Sequence, residues 1–527
     1  MSGFPGRFFT KAQSLGPAAL LMAASVFLSR LMGLLRDKAI AYYYGAGPDT
    51  DIYFAAFVIP DFINYLLAGG YFSITLIPLL NRFFKESSGY GWRFFSSAFW
   101  WVVLAICLLT GLAWVFALPL AALAAPGFDP AGQERLASFM RIILPAQACF
   151  LPGACFTALL FMRRQFSIPA LTPLIYNGCI IFFGITWFYL FPGSGMEGFL
   201  WGVLAGAFTG SLALPFFAAR AGGLRLTLTL RHPGLKKFIL LALPLMLGQS
   251  IVVLDEAFLR IFGSIGPEGT VSLLNYARRI MMVPVGVVAQ AAGVASYPFL
   301  SGLAAAGDNA GFNRTLNKAL LGTLTAILPI TFLLMAEAEP VICLVFEQGR
   351  FSAADTAIAS TLLVIMLCGV TFWAVQQIMG RGFYAHENTL TPVLVGTLAT
   401  ALTLPLYFLF SRNLGASGVA LAGAASIALY TLLLAWRFIA RFGATALQGT
   451  GRRLLLLSGL SLPCACLSRL LCDITRSSLP DAPLTGAALS LLLGGFVFIL
   501  PYAGLCRAFA PSVWRETLNL LRRERQP

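Results

Sequence analysis

Residues 29–38 read Ser-Arg-Leu-Met-Gly-Leu-Leu-Arg-Asp-Lys, "SRLMGLLRDK", within the run "GPAALLMAASVFLSRLMGLLRDKAIAYYYG" from Gly16 to Gly45. A helix needs about 20 mostly apolar residues to cross a bilayer, and this run is longer than that. It nevertheless carries Arg30, Arg36, Asp37 and Lys38 near its middle. An ionisable group at the centre of a membrane helix costs at least about 2.5–3.5 kcal/mol, so such groups face a bundle interior or an aqueous cavity. The stretch therefore implies a membrane-spanning helix that borders something polar.

Composition extends this to the whole chain. Of 527 residues, 58% are apolar and 11% are charged, against about 25% charged in soluble domains. The expected fold class is an all-α integral membrane protein with about 14 transmembrane helices. The spans begin near Pro17, Asp51, Phe94, Leu136, Ile168, Gly198, Phe238, Val271, Leu316, Asp355, Leu390, Gly415, Leu454 and Ala487. Most loops are too short to hold a soluble domain. Arg7 and Lys11 before an apolar stretch resemble a signal peptide, but the stretch continues past Arg30 and is expected to be the first span.

A net charge of +15 could suggest nucleic acid. Its distribution argues otherwise, because 24 of the 36 Lys and Arg lie at the two ends or in even-numbered loops. These include Arg82, Lys85 and Arg93, then Arg163 and Arg164, then Arg220 through Lys237, then Arg437 through Arg453. The odd loops hold most of the acids, among them Asp129, Glu197, Glu337, Glu339 and Asp473. Lys and Arg enrichment marks the cytoplasmic side, so both termini are expected there. The basic tail "RRERQP" after Trp514 suits anionic headgroups. The ten cysteines are scattered through apolar segments, and Cys464-Ala-Cys466 has no His or acid beside it to complete a metal set.

Features of the first half recur in order in the second. "FSIPALTPL" (Phe166 to Leu174) pairs with "YAHENTLTPV" (Tyr384 to Val393), and "GFDPAGQE" pairs with "GRFSAADT". "WGVLAG" (Trp201 to Gly206) pairs with "SGVALAG" (Ser417 to Gly423), and Pro78 pairs with Pro298. The expectation is two pseudo-symmetric six-helix lobes, residues 1–230 and 231–445, plus two C-terminal helices in 446–527. Transporters built from such repeats place the substrate at midplane between the lobes.

Arg30, Arg36, Lys38, Arg260, Arg278 and Arg279 fall inside spans, with only Asp37, Asp61, Asp255 and Glu256 to offset them. Asp37 lies about 20° from Arg30 around the helix, close enough for a water-mediated pairing. Lys38 and Arg260 are expected at the interface, where long cationic side chains snorkel. A cavity holding the remaining arginines would favour a diphosphate, because the guanidinium fork matches phosphate oxygens bidentately.

The run S-R-x-x-G-x-x-R-D (Ser29 to Asp37), then "GAGPDTDIYFAAFVIP" (Gly45 to Pro60) and "YFSITLIP" (Tyr71 to Pro78), resembles the MurJ (MviN-type) lipid II flippases. That family belongs to the multidrug/oligosaccharidyl-lipid/polysaccharide exporter superfamily. The resemblance implies export of the undecaprenyl-pyrophosphate-linked peptidoglycan precursor, lipid II, across the bacterial inner membrane by alternating access. It also implies a cationic cavity for the pyrophosphate, and a lipid-tail groove beside spans thirteen and fourteen. By position, Arg30 and Arg36 match the family's span-one arginines, Asp51 the aspartate opening span two, and Arg279 the span-eight arginine.

The chain departs from the family pattern at Asn64-Tyr65, where arginine is usual, and at Gly69-Gly70, where a glutamate is usual. It also has Arg278 beside Arg279, as if a cation had moved from span two to span eight. Asn64 and Arg278 therefore join the substrate-binding candidates. The resemblance further implies a sodium site in the second lobe with Asp255 as a possible ligand; an ion pair of Asp255 with Arg260 or Arg279 is the alternative. No other cofactor is implied. The driving force would be sodium or the membrane potential, since no Walker-type glycine loop is present. Expected partners are lipid II, membrane lipids and cell-wall synthesis proteins, with no nucleic acid.

Other readings have discriminating features. A flippase of another polyprenyl-linked glycan fits the departures. A drug/cation antiporter of the same superfamily needs an acidic cavity and only twelve spans. An enzyme acting on polyprenyl phosphates wants clustered carboxylates, metal ligands or a histidine base, whereas His232 and His386 lie in loops where they should be solvated. A membrane scaffold would leave the buried charges unexplained.

Overall fold

The computed structural model describes residues 13–68, 71–241, 254–479 and 482–516. The leading Arg7 and Lys11, the Gly69-Gly70 pair and the tail "RRERQP" lie outside the described residues. Every regular element among the described residues is a helix. The chain divides into two compact units, one running up to Ser272 and the other from Leu273.

Helix ends follow local chemistry. In the first unit, helix Leu15–Tyr44 stops at Gly45, whose φ of 68° only glycine adopts without penalty. Ser87 accepts the Tyr90 N–H at 3.1 Å to start Ser88–Val115. Asp129 accepts the Gly132 N–H at 3.0 Å, with Pro130 in the first turn. In the second unit, Ser352 and Asp355 form a reciprocal capping box at the start of Ala353–Ala385. Asp129 and Ser352 belong to the paired motifs "GFDPAGQE" and "GRFSAADT", so each copy of that motif starts a helix. The turns at the paired "FSIPALTPL" and "YAHENTLTPV" segments also match. Each holds a non-glycine residue in the left-handed region, Arg164 at φ 58° and Glu387 at φ 56°.

Eleven described helices are long and apolar enough to cross a membrane. The difference from the expected fourteen has three sources. The expected second span is interrupted at Ala56-Phe57, between Pro48–Ala55 and Val58–Ala68, and residues 69–70, before Tyr71–Glu86, lie outside the described residues. The expected seventh span falls partly on residues 242–253, outside the described residues. Leu390–Phe442 is a hairpin counted once. Gly415 takes φ 57° at its tip, Thr403 Oγ1 meets Ser426 Oγ at 3.0 Å, and the Tyr430 hydroxyl donates to the Pro392 carbonyl at 3.1 Å. Those contacts require 390–414 and 416–442 to pack antiparallel.

Close helix approach holds the first unit together. A Cβ on Gly153 would lie 1.8 Å from the Ser211 carbonyl oxygen, inside a π-helical segment, Ala207–Ala213, that widens the helix locally. After that helix the alternating "LRLTLTLR" segment runs extended along Ser88–Val115. Trp100 Nε1 donates to the Thr227 carbonyl at 3.0 Å and Trp101 Nε1 to the Leu230 carbonyl at 2.9 Å. In the second unit an apolar core gathers Leu316, Leu320, Ile378, Phe383, Leu434 and Phe438. Exposed Leu20 and Phe27 on the first helix suit lipid contact.

Candidate functional site

Helix Leu15–Tyr44 supplies the first group of charges. Arg36 sits with a side chain 16% exposed and Asp37 beside it at 3%. The Arg36 Nε and Nη2 donate to Asp37 Oδ1 at 3.0 and 2.8 Å, and Nη1 donates to Asn177 Oδ1 at 3.4 Å. Asn177 is oriented by its own bond to the Pro173 carbonyl, 2.9 Å away on helix Ser167–Leu190. These bonds use three of the five N–H groups of a guanidinium and leave two for a further acceptor. The long Arg36 side chain folds back onto its neighbour, so Asp37 pairs directly with Arg36, where helical spacing suggests a water-mediated pairing with Arg30. Arg30 lies exposed two turns earlier, and Lys38 is half-buried.

Asp51 has a different environment. It is 3% exposed. Its Oδ2 accepts the Gly269 N–H at 2.7 Å and its Oδ1 accepts the Ser272 N–H at 2.7 Å. Gly269 and Ser272 flank the start of helix Thr270–Pro284, where the first N–H groups have no intrahelical acceptor. Asp51 therefore caps that helix from a distant part of the sequence. Asn64 is half-buried on Val58–Ala68.

Arg260 corrects the interfacial expectation. It is 7% exposed, with Nη1 2.9 Å from Asp61 Oδ2 and Nη2 2.6 Å from Glu256 Oε1. The space beside it is about 10 Å³, barely room for one water. A buried cation bound by two carboxylates is cheaper than a buried lone charge, which explains why it does not reach for the interface. This cluster joins Val58–Ala68 to Leu254–Gly263 and is a structural tie. The i,i+4 spacing of Glu256 and Arg260 permits their pair, although the sequence points to Asp255 as the partner, and nothing local indicates the contact with Asp61.

In the second unit, the Arg278 guanidinium stands over the Trp373 ring at 5.4 Å, and Arg279 is exposed. Asp255, on Leu254–Gly263 in the first unit, is half-buried. Among the described residues no three His, Cys, Asp or Glu side chains gather into a metal-holding set, and oxygens of Glu256 and Asp61 are already engaged by Arg260. No step below is routed through a sodium ion.

The histidines are packed, contrary to the expectation of solvated loop residues. His232 is 8% exposed, with its ring centroid 4.4 Å from Tyr90, 5.1 Å from Phe83 and 5.3 Å from Phe94. His386 lies 4.5 Å from both Phe312 and Phe442.

A multi-pass helical protein with buried arginines and cation-lined helices belongs to the class of membrane transporters, and comparison with known proteins agrees. One solved structure, described as lipid II flippase MurJ in an inward closed conformation, superposes with a TM-score of 0.77 at 24% identity, covering 93% of this chain and all of that one. An inward-facing multidrug resistance MATE family transporter of the MOP superfamily superposes with a TM-score of 0.65 at 15% identity over 82% of this chain and 99% of that one. The family profile "Lipid II flippase MurJ" matches residues 40–493. A probable lipid II flippase MurJ of Rhizobium meliloti is 29% identical over 426 residues, 78% of each chain. Another from Vibrio cholerae is 27% identical over 442 residues, 81% of this chain and 83% of that one. The chain belongs to the MurJ lipid II flippase family, whose members are transporters and not enzymes.

Proposed function

We propose that this chain moves lipid II from the inner to the outer leaflet of the bacterial inner membrane by alternating access. Both termini would face the cytoplasm, and arginines would receive the pyrophosphate. Arg30 and Arg36 on helix Leu15–Tyr44 and, separately, Arg278 and Arg279 on helix Thr270–Pro284 are the proposed anion ligands. The observation that carries the reading is Arg36. It is held within a membrane-length helix by Asp37 and Asn177, and keeps N–H groups available for another acceptor.

The proposed cycle needs little chemistry from the protein. The pyrophosphate offers oxygens that match the guanidinium fork, and that attraction offsets the cost of taking the headgroup from water. Movement of one charge through 100 mV is worth about 2.3 kcal/mol, so the membrane potential is a sufficient class of driving force; an ion gradient is the other. Asp51 and the Arg260 cluster hold helices in place and are not proposed to touch the headgroup.

Expression in a bacterium depleted of its own lipid II flippase tests this reading. Rescue of growth by the parent chain and loss of rescue with Arg279→Ala are expected; failure of the parent chain to rescue would refute lipid II as substrate. Asn64 favours a second reading, a flippase of a related polyprenyl-linked glycan, because it stands where many relatives have arginine. Rescue by Asn64→Arg where the parent fails would support it.

A further inference from the structure

The first unit contains a cationic cavity on its even-loop side, remote in sequence from the span-one arginines. It has a volume of about 550 Å³, lined by Lys85, Trp92, Arg163, Gly222, Gly223 and Arg225 among others. That is within the ~300–1,000 Å³ typical of small-ligand sites. Among the described residues no carboxylate lines it. The nearest acid along the chain, Glu86, pairs with Arg82 at 3.6 Å.

Arg163 is built into this cavity rather than waving over it. Its guanidinium carbon lies 5.6 Å from the Trp92 ring centroid. A Cβ on Gly222 would lie 2.1 Å from Arg163 Nη1, so the guanidinium rests against bare backbone. Nη1 is buried and has no hydrogen-bond partner among the described residues. Burial lowers the Arg163 pKa, yet an arginine does not give up its proton in a protein. The turn that aims it is costly: Arg164 takes φ 58°, a region that side chains other than Gly, Asn and Asp rarely adopt. Its carbonyl is held by the Gln13 N–H at 2.9 Å. Gly223, at φ 83°, makes the matching turn on the other wall.

Three cations, one of them a half-buried guanidinium fixed between the Trp92 ring and the Gly222 backbone, with no acid among the described lining residues, suit an anion with several oxygens. Trp100 and Trp101, on the helix that also carries Trp92, resemble the aromatic belt found at headgroup depth, and basic pockets between membrane helices bind anionic headgroups. We infer that this cavity is a binding site for the phosphate of an anionic phospholipid headgroup, distinct from the proposed transport site. The site lies wholly within the first unit, so a headgroup there would stabilise that unit without entering the transport path.

The test uses the purified full-length protein in a zwitterionic detergent. Short-chain phosphatidylglycerol, matched phosphatidylcholine and inorganic phosphate are titrated separately and read by ligand-induced thermal shift. Phosphatidylglycerol should bind, phosphatidylcholine and inorganic phosphate should not do so at the same concentrations, and Arg163→Gln should weaken phosphatidylglycerol at least tenfold. Arg163→Lys should recover part of the loss, and Gly222→Ala should mimic Arg163→Gln by displacing the guanidinium. Lys236→Gln with Lys237→Gln, on exposed basic residues outside the cavity, should leave the affinity unchanged. Equal loss in that double variant, or none in Arg163→Gln, would overturn the site. Arg163-dependent binding of inorganic phosphate as strong as that of the lipid would overturn the lipid assignment in favour of a soluble anion.

Discussion

The Ser272 N–H donates to Asp51 Oδ1 at 2.7 Å, tying the start of the second membrane segment to the first turn of Thr270–Pro284. The second oxygen takes the Gly269 N–H. Removing a helix-capping acceptor costs about 0.5–2 kcal/mol, and a buried donor left unsatisfied costs about 1–3 kcal/mol. Asp51→Ala should therefore lower thermal stability in detergent clearly, and Asp51→Asn less, because one acceptor oxygen remains. Full stability with lost transport in Asp51→Ala would instead put Asp51 in contact with substrate.

Arg260 should behave as half of a buried ion pair. Arg260→Met leaves Asp61 and Glu256 facing each other without a cation, and because both carboxylates are about a third exposed the loss should fall below the ~3–5 kcal/mol of a fully buried pair. The triple change Asp61→Leu, Glu256→Leu, Arg260→Met removes all the charge and should restore most of the stability, since apolar replacement of buried ion pairs is often neutral. Thermal unfolding of both variants checks this, and a triple variant no better than the single one would contradict the structural role.

Two glycines should separate packing from function. Gly153→Ala drives a methyl into the Ser211 carbonyl, and overpacking of this kind costs about 1–3 kcal/mol. Around a Cβ on Gly33, in the "SRLMG" motif, nothing lies within 4 Å. Gly33→Ala should keep full stability; a fall in its melting temperature comparable to that of Gly153→Ala would show that the first helix packs more tightly than described.

His232 should make stability sensitive to mild acid. Burial lowers its pKa, the Arg93 guanidinium adds to this, and Glu86 opposes. Its Nδ1 accepts the Gly234 N–H at 3.0 Å, which only the neutral ring can do. The folded value lies below the unfolded value of about 6.5, so the unfolded chain takes up the proton first. Stability is then complete above pH ~6.5 and falls as pH drops toward the lowered folded value. Melting temperature measured from pH 7.5 to 5 should fall over that window, and His232→Phe should reduce the fall.

The membrane fold was legible in the sequence because apolar length and charge placement are local properties. The SRLMGLLRDK stretch announced a span with a polar side, and Arg36 is indeed anchored inside the first unit. What spacing could not reveal were contacts closed through the fold. Arg36 bends back to Asp37, Asp51 reaches across more than two hundred positions to cap a helix, and Arg260 finds Asp61 on another segment. Arg163 read as one more loop cation, since its burial depends on Gly222 and Trp92 arriving from elsewhere. Span two looked continuous because hydropathy does not register the turn at Ala56-Phe57.

The proposed role of the exposed and half-buried arginines is to receive the pyrophosphate of lipid II. It is tested most directly by measuring how much lipid II becomes accessible, from outside, to an externally added lipid II-cleaving enzyme in cells depleted of their own flippase. The exposed Arg279 can be truncated without leaving a cavity, and the amount of each variant in the membrane separates recognition from folding. The account predicts that the parent chain restores outward lipid II, while Arg279→Ala and Arg36→Lys reach the membrane in equal amounts and restore little. Outward lipid II at parental levels in both variants would contradict it.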